Sequence, residues 1–256
     1  MVLVVDLDGV IWKGQEPIPG SAKAIQRLRD SGRRVVFLTN NSAPTRAENA
    51  AKLAAFGIEV GSGDVISSAQ AAASMVKAGE RVVVCAGPGV SEACLDVGAE
   101  VVDADPTKVT AGAEAVIVGW HQNFDFARLT AAMRAVLDGA RLIGTNEDPT
   151  YPIAGGLLPG GGALIAAVER AAGAVATIAG KPHRPIVELL HATFPEVEMV
   201  IGDRISTDGR LAASLGVPFA LVRSGVLAAG GSDFQGGDIP IHLDEPDILA
   251  VSDKLL

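Results

Sequence analysis

The sequence predicts an α/β fold: a doubly wound parallel-sheet core interrupted by a smaller inserted α/β module. Three observations point there. Short continuous apolar runs such as Val2–Val5, Val35–Leu38 and Met199–Ile201 have the pattern of strands buried on both faces, as in a parallel sheet covered by helices. Stretches with helical periodicity follow them, and strand–helix alternation builds βαβ units. The apolar fraction of 48% is rich in Ala and Gly with only 4% aromatics, which suits helices packed closely on a sheet and argues against intrinsic disorder.

The first strand, Val2–Val5, runs into Asp6-Leu7-Asp8-Gly9. After a turn carrying Pro17, Pro19 and Gly20, Ser21 reads as a helix N-cap, Ala24, Ile25 and Leu28 form the apolar stripe, and Gly32 stops the helix. Val35–Leu38 is the next strand and runs into Thr39-Asn40-Asn41-Ser42, after which Pro44 opens a helix that closes at Gly57. Near the other end, Lys181-Pro182 precedes a helix around Ile186–His191. Met199–Ile201 is a strand running into Gly202-Asp203-Arg204, Leu211–Leu215 is helical up to Gly216, and Phe219–Val222 is a further strand. Between the ends, Arg81–Cys85, Ala115–Val118 and Arg141–Gly144 read as strands, separated by helices near Ser91–Leu95 and Arg128–Leu137. The simplest architecture takes the core from residues 1–72 and 177–256 and inserts residues 73–176 as a cap. Residues 230–237 read as a Gly-rich loop, and Gly160-Gly161-Gly162 as a tight turn.

Composition narrows the partners. Over 256 residues the net charge is −9, with no cluster of Lys and Arg, which argues against a nucleic-acid partner. No apolar run approaches the ~18–20 residues that cross a bilayer, and no basic segment followed by an apolar stretch opens the chain. Cys85 and Cys94 are too few for a disulfide framework and read as buried thiols. A cytoplasmic enzyme is the expectation.

Polar residues collect where strands end: Asp6 and Asp8 after the first, Thr39 and Asn40 after the second, Asp203 after a late one. In an open parallel sheet, ligands bind beyond those carboxyl ends. Folding does not require two carboxylates directly after a buried strand, and like charges ~4 Å apart at an effective dielectric near 20 repel by roughly 4 kcal/mol. Asp6, Asp8, Asp203 and Asp208 bring four negative charges against one positive charge on Lys181. An anionic substrate therefore needs a divalent cation, and oxygen-only ligands point to Mg²⁺ rather than zinc.

Asp6-Leu7-Asp8-Gly9-Val10, Thr39-Asn40-Asn41, Gly180-Lys181-Pro182 and Gly202-Asp203-Arg204-Ile205-Ser206-Thr207-Asp208 resemble, in order, the four motifs of haloacid dehalogenase superfamily phosphatases. The likeness extends over nearly the whole chain. It is nearest the branch of p-nitrophenyl, pyridoxal phosphate, phosphoglycolate and glycerol-phosphate phosphatases, which carry a large α/β cap between the second and third motifs. The resemblance implies a Rossmann-like core and Mg²⁺-dependent hydrolysis of a small phosphorylated metabolite. Asp6 would be the nucleophile, and Asp8 the acid and then the base. Thr39 and the Asn40 backbone N–H would hold phosphoryl oxygens, as would Lys181, which also offsets charge. The Asp6 carboxylate, the Asp8 backbone carbonyl and Asp203 would bind the metal, with Asp208 supporting Lys181 or a metal-bound water from behind; a plain helix N-cap is the alternative reading of Asp208, and the two roles can coexist. Superfamily dehalogenases lack a carboxylate at the Asp8 position, so its presence favours phosphate chemistry.

Specificity is expected from the cap. In this branch a cap loop touches the leaving group, and here it matches Thr145–Pro152. Tyr151, Trp120 and His121 are the candidate substrate contacts, weighed against ordinary cap packing, while Asn146 and Asp148 would hold the loop or the domain interface. His121, His183 and His191 lack metal-ligand spacing, and Arg204 has no catalytic role. The resemblance allows for a homodimer through the cap. The rival readings are a phosphotransferase or mutase using the same chemistry, a phosphate-sensing domain without turnover, and a retired homologue acting as a scaffold.

Overall fold

A computed structural model describes residues 1–61, 63–108, 112–153, 156–225 and 238–256, so the Gly-rich stretch 230–237 lies outside the described residues. The chain divides into two compact units: Met1–Thr39, Arg46–Ile66 and Val187–Leu256 form the first, and Asn40–Thr45 with Ser67–Ile186 the second. In chain order the elements are β1 (Val2–Asp6), β2 (Trp12–Lys13), β3 (Glu16–Pro17), α1 (Ser21–Asp30), β4 (Arg34–Thr39), α2 (Arg46–Ala55) and β5 (Val65–Ser67). There follow α3 (Ser68–Ala73), β6 (Arg81–Cys85), α4 (Pro88–Asp96), β7 (Glu100–Asp103), β8 (Ala115–Val118), α5 (Phe126–Leu137) and β9 (Arg141–Gly144). Next come β10 (Thr150–Ile153), β11 (Gly156–Pro159), α6 (Gly161–Ala172), β12 (Thr177–Ile178) and α7 (Arg184–Thr193). The chain ends with β13 (Val197–Gly202), a π-helical turn (Ile205–Gly209), α8 (Arg210–Leu215), β14 (Phe219–Val222), β15 (Leu243–Glu245) and α9 (Ile248–Leu255).

The first unit is built on a sheet with strand order β15-β14-β13-β1-β4-β5. The ladders joining β1 to β4 and β13, β13 to β14 and β14 to β15 are all parallel. From β1 the chain builds outward through β4 and β5, then returns to the other side of β1 with β13. That reversal makes the β1/β13 junction the topological switch point, where such sheets bind ligands. Leu3, Val5, Phe37, Ile201 and Val222 form the core with Ile25 and Leu28 of α1 and Ile248 and Val251 of α9. Each such side chain contributes roughly 1.5–3 kcal/mol by leaving water, which is why these strands tolerate no polar alternation.

The second unit repeats the scheme with β12-β9-β8-β6-β7, again parallel throughout. Its switch point lies between β6 and β8. Its core is alanine-rich: Ala131, Ala132 and Ala135 of α5 pack with Val83, Val116, Val118, Ile165 and Val168. Small side chains let α5 and α6 lie close to the sheet, which explains the high Ala content without aromatics. Cys85 and Cys94 are unpaired and buried, and burial pushes both thiols up to about 12. Among the described residues no helix is long and apolar enough to cross a membrane.

Three local expectations need correction. Ser21 is not the N-cap of α1: Gly20 holds that place at φ +83°, with no side-chain cap, and Ser21 is the first helical residue. An added Cβ at Gly20 would lie 2.8 Å from Leu249 of α9, so contact between the helices outweighs cap chemistry here. Pro44 does not open α2, which starts at Arg46. Gly160-Gly161-Gly162 is no free-standing turn: Gly160 caps α6 and the next two glycines are its first residues. Added Cβ atoms at Gly160 and Gly162 would lie 2.2 Å from the Asp148 carbonyl oxygen and 2.4 Å from that of Glu147, so the glycines admit the 147–148 loop.

Candidate active site

Within the first unit, Asp6 ends β1, Thr39 ends β4 and Asp203 follows β13, so the parallel register sets all three on the carboxyl edge at the switch point. Asp6, Asp203 and Asp208 each offer a carboxylate oxygen, these atoms lie within 4.8 Å of one another, and all three residues are buried. At that spacing like charges repel by roughly 3–4 kcal/mol per pair. Three buried carboxylates with oxygen donors only fit a hard divalent cation of the magnesium or calcium kind. Asp208 joins this group, and its alternative reading as a helix N-cap needs correction. It lies instead in the π-helical turn ahead of α8, where its Oδ2 accepts from the Arg204 N–H at 3.2 Å, while Gly209 is the capping residue. Single π-turns of this kind recur at functional sites.

The loop after β1 is tightly wound. The N–H groups of Ile11 and Trp12 both reach the Leu7 carbonyl, at 2.9 and 3.2 Å, and the Gly9 N–H donates to the Trp12 carbonyl at 2.7 Å. Gly9 sits at φ +85°, in the left-handed region that favours glycine. The turn brings Trp12 back beside Asp8, whose carboxylate is held at both oxygens: Trp12 Nε1–H donates to Oδ1 at 3.0 Å and the Thr39 hydroxyl to Oδ2 at 3.2 Å. Thr39 therefore has a partner on the acid–base candidate, beyond the phosphoryl contact its motif implies.

In the second unit, Asn40 and Lys181 are joined by a pair of hydrogen bonds. The Lys181 backbone N–H donates to Asn40 Oδ1 at 2.8 Å, and Asn40 Nδ2 donates to the Lys181 carbonyl at 3.2 Å. The Asn40 carbonyl accepts from Asn146 Nδ2 at 2.9 Å and from the Ser68 hydroxyl at 2.7 Å. Asn146 Oδ1 receives the Asp148 N–H at 3.2 Å, so Asn146 pins its loop while tying it to Asn40. Gly180 is needed for this closeness, since an added Cβ would lie 2.5 Å from the Thr145 carbonyl oxygen.

Tyr151 stands in the β10–β11 hairpin and stacks on Trp120, with ring centroids 4.7 Å apart, while the Trp120 indole N–H donates to the Pro159 carbonyl at 3.0 Å. Trp120 and His121 line a cleft of about 440 Å³ beyond the carboxyl ends of β6 and β8, the switch point of this second sheet. Burial holds the His121 imidazole below its ordinary range, and the contact of Nδ1 with the Gly119 carbonyl at 2.9 Å works against that shift. His183 Nε2 lies 3.1 Å from Glu147 Oε1, and His183 is not a member of the metal-donor group found among the described residues.

A family model described as haloacid dehalogenase-like hydrolase matches residues 3–100, and a second model of the same kind matches 178–251. Glycerol-3-phosphate phosphatase from Homo sapiens is 34% identical over 257 residues, spanning 89% of this chain and 80% of that protein. The chain belongs to the haloacid dehalogenase-like hydrolases. Among solved structures, a hypothetical protein from Pyrococcus horikoshii OT3 matches this hydrolase with a TM-score of 0.88 at 31% identity, over 100% of both chains. Glycerol phosphate phosphatase from Mycobacterium tuberculosis, solved in complex with magnesium, matches at a TM-score of 0.80 and 31% identity, over 88% of this chain and 68% of that one.

The sequence reading of the hydrolase missed Trp12 and Lys52. Lys52 Nζ lies 4.0 Å from the centre of the Trp12 ring and donates to the Gly14 carbonyl at 2.6 Å. No motif marked either residue. The only available signal was the nearness of a tryptophan to Asp8, which an apolar core reading absorbs equally well.

Proposed function

We propose that this hydrolase removes the phosphoryl group from a small phosphorylated metabolite, a three-carbon polyol phosphate such as glycerol phosphate, through an aspartyl phosphate on Asp6. The observation that carries the reading is the group of three buried carboxylates, Asp6, Asp203 and Asp208, at the switch point beside a second acid, Asp8. The substrate class rests on the glycerol-phosphate phosphatases among its relatives.

In the first half-reaction an Asp6 oxygen attacks phosphorus. The bond from phosphorus to the leaving oxygen breaks, and that oxygen takes the proton of Asp8. In the second half a water gives its proton to the Asp8 carboxylate as it attacks phosphorus, and the Asp6–phosphorus bond breaks to release phosphate. Thr39 and the Asn40 N–H orient the phosphoryl oxygens, and the place of Lys181 in the third motif assigns it the offsetting charge. Asp6, Asp203 and the Asp8 backbone carbonyl would hold Mg²⁺, with Asp208 beside them. When bound, the ion neutralises the carboxylates and the phosphoryl charge. Tyr151, Trp120 and His121 are proposed to select the leaving group. The two buried, unpaired thiols are in keeping with a reducing compartment such as the cytoplasm.

Phosphate release from a panel of phosphomonoesters, with Mg²⁺ and with EDTA, tests this. Release that needs Mg²⁺ and ranks three-carbon phosphates first is expected. An isomeric phosphate product with little free phosphate would instead identify a mutase.

A further inference from the structure

The acid–base role of Asp8 imposes a demand that its own side chain does not meet. The same carboxyl must present a proton in the first half-reaction and receive one in the second, from a loop outside any long strand or helix. Two hydrogen bonds restrict it, and they differ in kind. The Thr39 hydroxyl, 3.2 Å from Oδ2, can donate or accept, so it suits either protonation state of that oxygen. The indole N–H of Trp12, 3.0 Å from Oδ1, can only donate. A donor fixed on Oδ1 favours keeping that oxygen as the acceptor throughout and directs the moving proton to Oδ2.

Trp12 is itself held from several sides. It forms a bridge with Asp8 and, with Lys13, pairs with Glu16–Pro17 in a short hairpin. Phe56 meets its ring edge-on at 6.0 Å. Lys52, in the last turn of α2, places its ammonium 4.0 Å from the ring centre. The bond from Nζ to the Gly14 carbonyl fixes the ammonium over the hairpin turn. A cation on the π face is attracted by the ring and draws electron density from it, which strengthens the indole N–H as a donor. Burial lowers the Lys52 ammonium from its ordinary range, and the Asp8 carboxylate opposes that shift, so the two charges sense one another.

We propose that Trp12 is a positioning residue for the acid–base carboxylate, its indole N–H fixing Asp8 Oδ1 and the Lys52 ammonium fixing the indole. The proposal rests on the reading of Asp8 as the acid. That dependence supplies the test, because an alkoxide leaving group needs a proton while p-nitrophenolate needs little help.

The experiment measures kcat/KM, which reports the first half-reaction, and KM for glycerol phosphate and for p-nitrophenyl phosphate. The proteins are wild type, Asp8→Ala, Trp12→Phe and Lys52→Met, each checked by thermal melting. Trp12→Phe keeps an aromatic ring and removes the N–H. It is expected to lose about tenfold on glycerol phosphate with KM unchanged, a part of the 10²–10⁴ typical of general acid catalysis, and less than about twofold on the aryl ester. Lys52→Met is expected to shift the ratio of the two substrates in the same direction by about twofold to threefold, and it decides the matter alone if Trp12→Phe does not fold. Equal losses on both substrates would make Trp12 a packing residue and overturn the proposal. Asp8→Ala losing equally on both would remove the acid role and the proposal with it. Absence of hydrolysis by the wild type would remove the phosphatase reading itself.

Discussion

At Gly9 the backbone lies at φ +85°, and an added Cβ would stand 2.5 Å from Asp203 Oδ2 and 2.8 Å from the Gly225 Cα. The loop that carries Asp8 back over the sheet edge thus runs where no side chain fits, between a carboxylate and a neighbouring backbone. Gly9→Ala is expected to lower unfolding free energy by about 1–3 kcal/mol from the left-handed conformation and the displaced neighbours, and to weaken metal binding by moving Asp203. Urea denaturation and a Mg²⁺ titration of activity check both effects; an unchanged protein would mean that the loop relaxes freely. Single residues were unevenly legible in the sequence. Asp6 and Asp203 were readable because a carboxylate at the end of a buried strand has no folding purpose. Trp12 was not, because an indole in a core looks the same whether or not its N–H has a partner that matters. Asn40 was read for its backbone N–H, whereas its side chain binds both backbone polar groups of Lys181, 141 residues away in sequence.

Elements were read best where the whole run is buried. β6, β8, β9 and β14 were bounded correctly from apolar runs alone, since strands covered on both faces carry an uninterrupted signal. Short or exposed pieces such as β2, β3, β7 and β15 gave none, and tertiary contact decided where α1 and α6 begin. The π-helical turn at Ile205–Gly209 was equally hidden: the extra residue in the turn sets Asp208 beside Asp203 and Asp6 rather than at a helix cap. Asp208→Asn keeps an oxygen for the Arg204 N–H while removing one charge from the group. Without metal it is expected to melt at a higher temperature than wild type, because two repulsions of roughly 3–4 kcal/mol before solvent screening are removed. With metal it is expected to lose most of the Mg²⁺-dependent rise in melting temperature, worth ~2.7 kcal/mol for a site at a hundred times its Kd. If Mg²⁺ stabilised both proteins equally, Asp208 would have no part in the site.

On the scale of the molecule, two parallel sheets each reverse strand order once, and residues singled out for chemistry or specificity lie at both reversals. The fold class and the family were legible because the motif order, strand then loop then strand, is itself the topology. What the cleft of the second unit would accept was not legible, since a cleft is made of shape, and Arg128, held by Asp103 at 2.7 Å on its wall, resembles any surface ion pair in sequence. A net charge of −9 is likewise no obstacle to an anionic substrate once the carboxylates share a cation. The central claim is covalent: Asp6 carries the phosphoryl group during turnover. Quenching the working enzyme on glycerol phosphate and Mg²⁺ with borohydride, then sequencing the N-terminal peptide by mass spectrometry, tests it directly. Reduction of residue 6 to homoserine, dependent on substrate, is the predicted result. Phosphate release with Asp6 unmodified under every quench, and persisting in Asp6→Asn, would contradict it.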